Sequence, residues 1–315
     1  MNSQAKQVNN MNDAWRFSNL YKKLKMMIGN VVRVNKVAVF SVGSILILAI
    51  YLLSTIVSSH SDSQFVAKIP PKRISWKTQE FVDIPEDILV KCKSIKVNDE
   101  DILLEYDSKN IIVSTRQTFP LSVSKVDVLL LHGSTFSSKT WEDLVTLQLL
   151  AAAGYRAVAV DLPGKGKTVH FPIRDHGEFL EEIIKMLDMN DPVIISPSMS
   201  GMYSLPFLMK AAASKQRLCS GFVSIAVVGT VKYKHFEYER IKVPTMLIRG
   251  SQDVKLGKIA EENLKYIPTS EQFVLQDAGH AAYMTRTADF HRLLYNFLLS
   301  VSSIRAKVLK ESGKH

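Results

Sequence analysis

At 315 residues, 46% of them hydrophobic, the chain can build one large domain with additional segments or two modest domains. Its formal net charge of +10 is confined to the ends: residues 1–80 hold 11 Lys/Arg against 3 Asp/Glu and residues 305–315 hold 4 against 1, whereas residues 81–304 hold 25 against 26. A neutral body lacks the basic face that nucleic-acid binding requires, which argues against that class.

In chain order, a basic tail (residues 1–36) precedes 23 residues without a charge, VAVFSVGSILILAIYLLSTIVSS, at 37–59. At about 1.5 Å per residue a helix of that length crosses a bilayer core of roughly 30 Å, and it exceeds the roughly 7–15 apolar residues of a cleaved leader. Residues 37–59 are therefore expected to be a transmembrane helix, with the bilayer as a partner. Lys22, Lys23, Lys25, Arg33 and Lys36 precede it closely, against Lys68, Lys72 and Arg73 after it. That bias predicts a single-pass type II protein with its large C-terminal part lumenal or extracellular. Only two cysteines, Cys92 and Cys219, and no N-x-S/T site favour the alternative, a domain facing the cytoplasm. One disulfide between those cysteines would fit the first arrangement, two buried thiols either.

Residues 60–86 carry Pro70-Pro71 and Pro85 without a sustained period, and read as an extended tether. A compact domain is expected at 87–302. Runs at 88–97, 102–106 and 111–115 read as short strands of an antiparallel meander. The apolar run 126–131 reads as a strand buried on both faces. Then follow a helix at 140–153 closed by Gly154, a strand at 156–160, a helix at 179–187, a strand at 192–196, a helix at 201–213 and a strand at 221–228. Another strand at 243–248, a helix at 259–266, a strand at 271–275 and a helix at 290–299 complete the pattern. Residues 303–315 are expected to be a basic, solvated tail. Strands alternating with helices predict an α/β fold, a mostly parallel sheet with helices on both faces.

In such a sheet the reactive groups gather at the C-terminal ends of the strands. There the sequence places His132-Gly133-Ser134-Thr135, Ser196-Pro197-Ser198-Met199-Ser200-Gly201, Arg249-Gly250-Ser251-Gln252-Asp253 and Asp277-Ala278-Gly279-His280. The order Ser, Asp, His is that of an α/β-hydrolase triad, with an HG turn on an earlier strand where an oxyanion N–H would sit. The nucleophile turn normally reads G-x-S-x-G because strand and helix approach closely there. Ser196 has bulky Ile194 two residues before it, and Ser200 has Met202 two residues after it. Only Ser198 has small neighbours on both sides, so Ser198 is the candidate nucleophile. The bland reading, serines that merely cap the helix at Gly201, loses ground once the Asp and His loops are counted.

The stretches VLLLHGSTFSSKTW, GYRAVAVDLPGKGKT and SPSMSGMYSLPF are similar to the α/β-hydrolase superfamily, and within it they resemble the small family of α/β-hydrolase domain-containing protein 14. The apolar N-terminal segment suggests the membrane-anchored A-type branch. The resemblance covers residues 126 to about 299 and treats the serine-flanked nucleophile as a family habit. It implies a triad of Ser198, Asp253 and His280, and oxyanion-hole backbone N–H groups at Met199 and Ser134, with Thr135 as an alternative to Ser134. Asp277, only three residues from His280, is a competitor expected to be structural.

The implied chemistry is acyl transfer through an acyl-enzyme on an ester, thioester or amide. Only 14 residues, 229–242, separate two strands where many hydrolases insert a lid. An open site of that kind favours a small acyl group, alone or on a larger carrier or protein. Gly164–Thr168 (GKGKT) lacks the first glycine of a P-loop, since Asp161 stands there, and is expected to be a turn. No Cys/His cluster has zinc spacing, so neither metal nor cofactor is expected. The competing class is a non-catalytic interaction protein that keeps the fold.

Overall fold

The computed structural model describes residues 75–77, 80–214 and 217–311. The expected span at 37–59 lies outside them. Among the described residues, no helix is long and apolar enough to cross a membrane.

Helix α1 (Glu86–Cys92) leads into the hairpin β1 (Asn98–Tyr106) and β2 (Lys109–Thr118). Then come β3 (Val128–Leu130), α2 (Lys139–Asp143), α3 (Thr146–Ala152), β4 (Ala157–Val160), α4 (His176–Met186), β5 (Val193–Pro197) and α5 (Gly201–Ser214). The chain closes with β6 (Gly221–Ile225), α6 (His235–Tyr238), β7 (Thr245–Gly250), α7 (Leu256–Leu264), β8 (Ser270–Leu275), α8 (Ala282–Thr285) and α9 (Thr287–Glu311). The strands form one sheet in the order β1-β2-β4-β3-β5-β6-β7-β8. β1 and β2 pair antiparallel, as do β2 and β4, and every other pair is parallel.

Side chains alternate across the sheet, which explains why β3 reads as an unbroken apolar run. Leu129, Val158, Ile194 and Phe222 pack on one face against Phe179 and Ile183 of α4 and Leu205 and Phe207 of α5. Val128, Leu130, Ile195 and Val223 pack on the other against Trp141, Leu147, Phe290 and Phe297. The fold is thus an α/β-hydrolase sheet clothed on both sides, and between β6 and β7 the chain forms only a 3-10 turn (Thr230–Lys232) and the one-turn α6.

Two expectations need correction. Residues 88–97 do not form a strand. Pro85 stands at the N-cap of α1, Glu86 and Asp87 occupy its first turn and Lys91 its last, an arrangement that favours a helix dipole, and Asp87 pairs with Lys91 at 2.7 Å. The expected helix at 140–153 breaks at Val145, whose φ of 61° is left-handed. The break re-aims α3 so that Thr146 Oγ1 meets His291 Nε2 of α9 at 2.9 Å.

Of the expected extended tether at 60–86, residues 75–77 and 80–85 carry no regular element and lie against the domain. Trp76 is 2% exposed, its Nε1–H donates to Thr245 O at 2.9 Å, and its ring meets Phe297 edge-on at 4.7 Å. The expected tail at 303–315 is helical as far as Glu311, since no Gly or Pro interrupts α9, and Arg305 Nη1 donates to Asn190 O at 2.8 Å. Cys92 and Cys219 are both free thiols; burial pushes Cys219 up to about 12.

Candidate active site

β5 ends at Pro197 and the chain turns at once into a 3-10 segment, Ser198–Ser200, that runs into α5. Ser198 adopts φ 51°, a left-handed conformation that a residue with a side chain visits at a cost. The turn is held open by its neighbours: Val228 N–H donates to Ser198 O at 2.9 Å, and Ser200 Oγ donates to Pro197 O at 2.8 Å. Gly201 is required here, because a Cβ would lie 2.4 Å from Val228 O and 2.8 Å from Val227 Cβ.

The two serines in the glycine positions, Ser196 and Ser200, are fully buried. Ser196 Oγ lies 3.0 Å from Ser200 Oγ and 2.7 Å from Ser204 Oγ, so each hydroxyl that replaces a hydrogen finds a partner. Ser204, one further turn along α5, has no strong local sequence signal; only the four-residue spacing of Ser196, Ser200 and Ser204 hints at it.

Asp253 follows β7 and His280 follows β8, and the sheet brings both to Ser198. His280 Nδ1 lies 2.6 Å from Asp253 Oδ2, and His280 Nε2 lies 2.8 Å from Ser198 Oγ. Asp253 is 7% exposed. Burial works to raise its pKa, but the hydrogen bonds from His280 and the Gly257 backbone, with the nearby Arg249, hold the carboxyl below its ordinary range. A carboxylate only accepts, so Nδ1 carries the imidazole proton and the neutral ring leaves Nε2 to accept from the Ser198 hydroxyl. Asp277 is exposed; its backbone N–H donates to Ser251 Oγ at 3.0 Å, and it is Asp253 that reaches the imidazole.

The HG turn lies alongside. A Cβ on Gly133 would stand 3.7 Å from Ser198 Cβ, and Ser134 and Thr135 line the same small cavity as Ser198 and His280. Buried His132 braces this turn: its Nδ1 donates to Gly133 O at 2.8 Å and its Nε2 accepts from Leu162 N–H at 3.0 Å. Burial lowers the His132 pKa, which suits a ring that needs one protonated and one bare nitrogen. Met199 lies in the first helical turn after β5, where N–H groups have no acceptor within the helix. The cavity measures about 60 Å³, and its apolar walls are Phe136, Ile225, Ala281 and Tyr283, none of which the sequence singled out. Phe136 and Tyr283 each sit three residues beyond a motif residue, Gly133 and His280.

The GKGKT turn serves an internal carboxylate. Lys167 N–H donates to Asp161 Oδ2 at 2.8 Å and Ser138 N–H to Oδ1 at 2.7 Å, while a Cβ on Gly166 would collide with that carboxylate at 2.0 Å. Among the described residues, no group of three or more His, Cys, Asp and Glu side chains gathers at metal-binding spacing.

This sheet order, with Ser, Asp and His at the ends of β5, β7 and β8, defines the α/β-hydrolase class. Residues 128–232 match the profile described as the alpha/beta hydrolase family. ABHD14B of Pongo abelii, provisionally named a protein-lysine deacylase, is 43% identical over 177 residues, covering 54% of this chain and 82% of that protein. ABHD14A of Rattus norvegicus is 40% identical over 190 residues, covering 58% of this chain and 76% of that protein. The chain belongs to the ABHD14 family of α/β hydrolases and is a serine hydrolase. Among solved structures, a CIB-like hydrolase of Thermoplasma acidophilum superposes with a TM-score of 0.56 at 20% identity, covering 65% of this chain and 99% of that one. The carboxylesterase CesB of Bacillus subtilis gives 0.55 at 15% identity, covering 68% and 95%. At those identities the likeness is one of fold.

Proposed function

We propose that the chain is a membrane-anchored hydrolase or acyltransferase that removes a small acyl group through a Ser198 acyl-enzyme. The observation that carries this reading is the continuous hydrogen-bonded line Ser198 Oγ, His280 Nε2, His280 Nδ1, Asp253 Oδ2, at 2.8 and 2.6 Å. His280 takes the Ser198 proton as Oγ bonds to the acyl carbon, and Asp253 stabilises the resulting imidazolium. The backbone N–H groups of Met199 and Ser134 receive the oxyanion, each contributing about 10²–10³ in rate by analogy with comparable sites. When the tetrahedral adduct collapses, the bond to the leaving group breaks and His280 returns the proton to that group. Water or another nucleophile, deprotonated by His280, then attacks the acyl-serine and frees the enzyme.

A cavity of about 60 Å³ supports a short acyl chain, since liquid water occupies about 30 Å³ per molecule. The relatives' provisional name supports an acylated lysine side chain of a protein as substrate, which the short connection between β6 and β7 leaves room to approach. Anchoring through residues 37–59 as a type II protein, with tail, tether and domain divided as the sequence suggests, rests on the uncharged run and its flanking lysines. A cytoplasmic domain is the alternative, and protease protection of sealed microsomes separates the two.

The test is labelling of the detergent-solubilised full chain by a fluorophosphonate serine probe, beside Ser198→Ala and His280→Ala. Strong labelling of the parent alone is expected. A folded parent that does not label, or a Ser198→Ala variant that labels equally, overturns the proposal in favour of an interaction protein.

A further inference from the structure

Leu121 and Val123 are 97% and 93% exposed, the two most exposed large hydrophobic side chains among the described residues. They project from the loop at 119–125, FPLSVSK, which contains one lysine and no acid. The loop is built to display them. At its base Lys125 N–H donates to Gly154 O at 3.1 Å, Arg156 N–H donates to Ser124 Oγ at 2.9 Å, and the Arg156 guanidinium lies 5.5 Å over the Phe119 ring.

The sheet registers fix where this loop stands. Thr118 pairs with Ala157, the first residue of β4, and Val128 with Ala157 and Val193, the first residues of β4 and β5. The loop therefore lies at the N-terminal end of the parallel strands, opposite Ser198 at the C-terminal end of β5. The polypeptide reaches the domain at that same end: Ser75 bonds to Glu271 near the start of β8, and Trp76 Nε1–H bonds to Thr245 O at the start of β7. Ser75 follows the last residue of the uncharged run, Ser59, by 16 residues. At no more than about 3.4 Å per residue, 16 residues reach at most about 55 Å.

We propose that the loop at 119–125 rests on the lipid bilayer, with Leu121 and Val123 inserted about 5–10 Å into the headgroup and acyl boundary. This rests on the reading of 37–59 as a membrane anchor. The chain's entry point and the short reach of the connecting segment supply the reason that lipid, rather than another protein, covers the exposed pair. The catalytic mouth at the opposite end of the sheet then faces water, and the acyl donor arrives from the aqueous phase.

The test uses the full chain in phospholipid vesicles, with Cys92→Ser and a single environment-sensitive fluorophore attached through Leu121→Cys, Val123→Cys or, as a control at the catalytic end, Val169→Cys. Val169 is 69% exposed. Blue-shifted emission quenched by spin-labelled lipid at 121 and 123, with water-exposed emission at 169, is the expected result. Three outcomes overturn the proposal: water-exposed emission at all positions, lipid quenching at 169 instead, or shielding at 121 that lipid quenchers do not reach, which marks a protein partner. Alkaline carbonate extraction of the same vesicles separates the two readings. A chain that resists extraction but shows an unquenched loop overturns the surface alone, whereas an extracted chain overturns the anchor as well.

Discussion

His280 Nδ1 sits 2.6 Å from Asp253 Oδ2, and Asp253 is 7% exposed at the end of β7. The imidazole is thereby held in the tautomer that presents a bare Nε2 to Ser198. Asp253→Asn keeps the shape but offers an amide that can donate to Nδ1 and favour the wrong tautomer. Probe labelling and acyl transfer are expected to fall about 10⁴-fold, with KM little changed. Because the Asp253 carboxyl is held below its ordinary range, the stability it confers is present above that range and lost as pH falls through the depressed folded value. The Tm gap between parent and Asp253→Asn should accordingly be widest near neutrality and close below about pH 4. A gap that widens on acidification contradicts the assignment.

The hydroxyl chain beneath the nucleophile makes a second test. Ser196→Ala strands the buried Ser204 hydroxyl, bonded at 2.7 Å, and urea unfolding should register a loss of about 1–3 kcal/mol. Gly201→Ala forces α5 away from Val228 O, and a loss of about 1–3 kcal/mol with weakened probe labelling is expected.

Tyr283 offers the opposite sign. Its hydroxyl is buried with no hydrogen-bond partner among the described residues, while its ring stacks on Trp141 at 5.0 Å. Tyr283→Phe keeps the stacking and removes the stranded group, so a gain of about 1 kcal/mol in stability is expected, with labelling retained. A Tm that drops on this substitution shows that the hydroxyl has a partner.

His291 sets an acid limit. Burial lowers its pKa to about 4, and Nε2 lies 2.9 Å from Thr146 Oγ1. The unfolded chain binds a proton near pH 6.5 that the folded chain refuses, so stability falls as pH drops between about 6.5 and 4, by at most about 1.4 kcal/mol per pH unit. His291→Gln should flatten the stability profile across that window, read by urea midpoints at successive pH values.

The cavity wall predicts chain-length selectivity. With about 60 Å³ bounded by Phe136, Ile225 and Tyr283, acetyl and propionyl esters should be turned over while octanoyl esters fall at least about 100-fold in kcat/KM. Equal turnover of the long ester rules out this cavity as the acyl site.

Much of this protein was legible in the sequence because its signals are local. Apolar runs such as 126–131 and 192–196 mark strands buried on both faces, and Ser198, Asp253 and His280 each stand on the turn or loop that follows a strand, where α/β sheets collect their reactive groups. Steric reasoning on Ile194 and Met202 points to Ser198 among three serines, and it is Ser198 whose Oγ lies 2.8 Å from His280 Nε2. Local signals also misled: the apolar residues at 88–97 outweighed the helix cap at Pro85, and nothing within 140–153 announces the left-handed Val145.

Which distant groups meet is set by the packing of the sheet and its helices. Hydrogen bonds and packing between elements remote in sequence joined Trp76 to Thr245 and Thr146 to His291. The walls of the cavity beside Ser198, and the end of the sheet on which Leu121 and Val123 stand, likewise follow from strand order and register, which depend on burial across the whole sheet rather than on any one segment. The chemistry available and the strands that carry it are written locally along the chain; the distances at which that chemistry is held are set by the sheet.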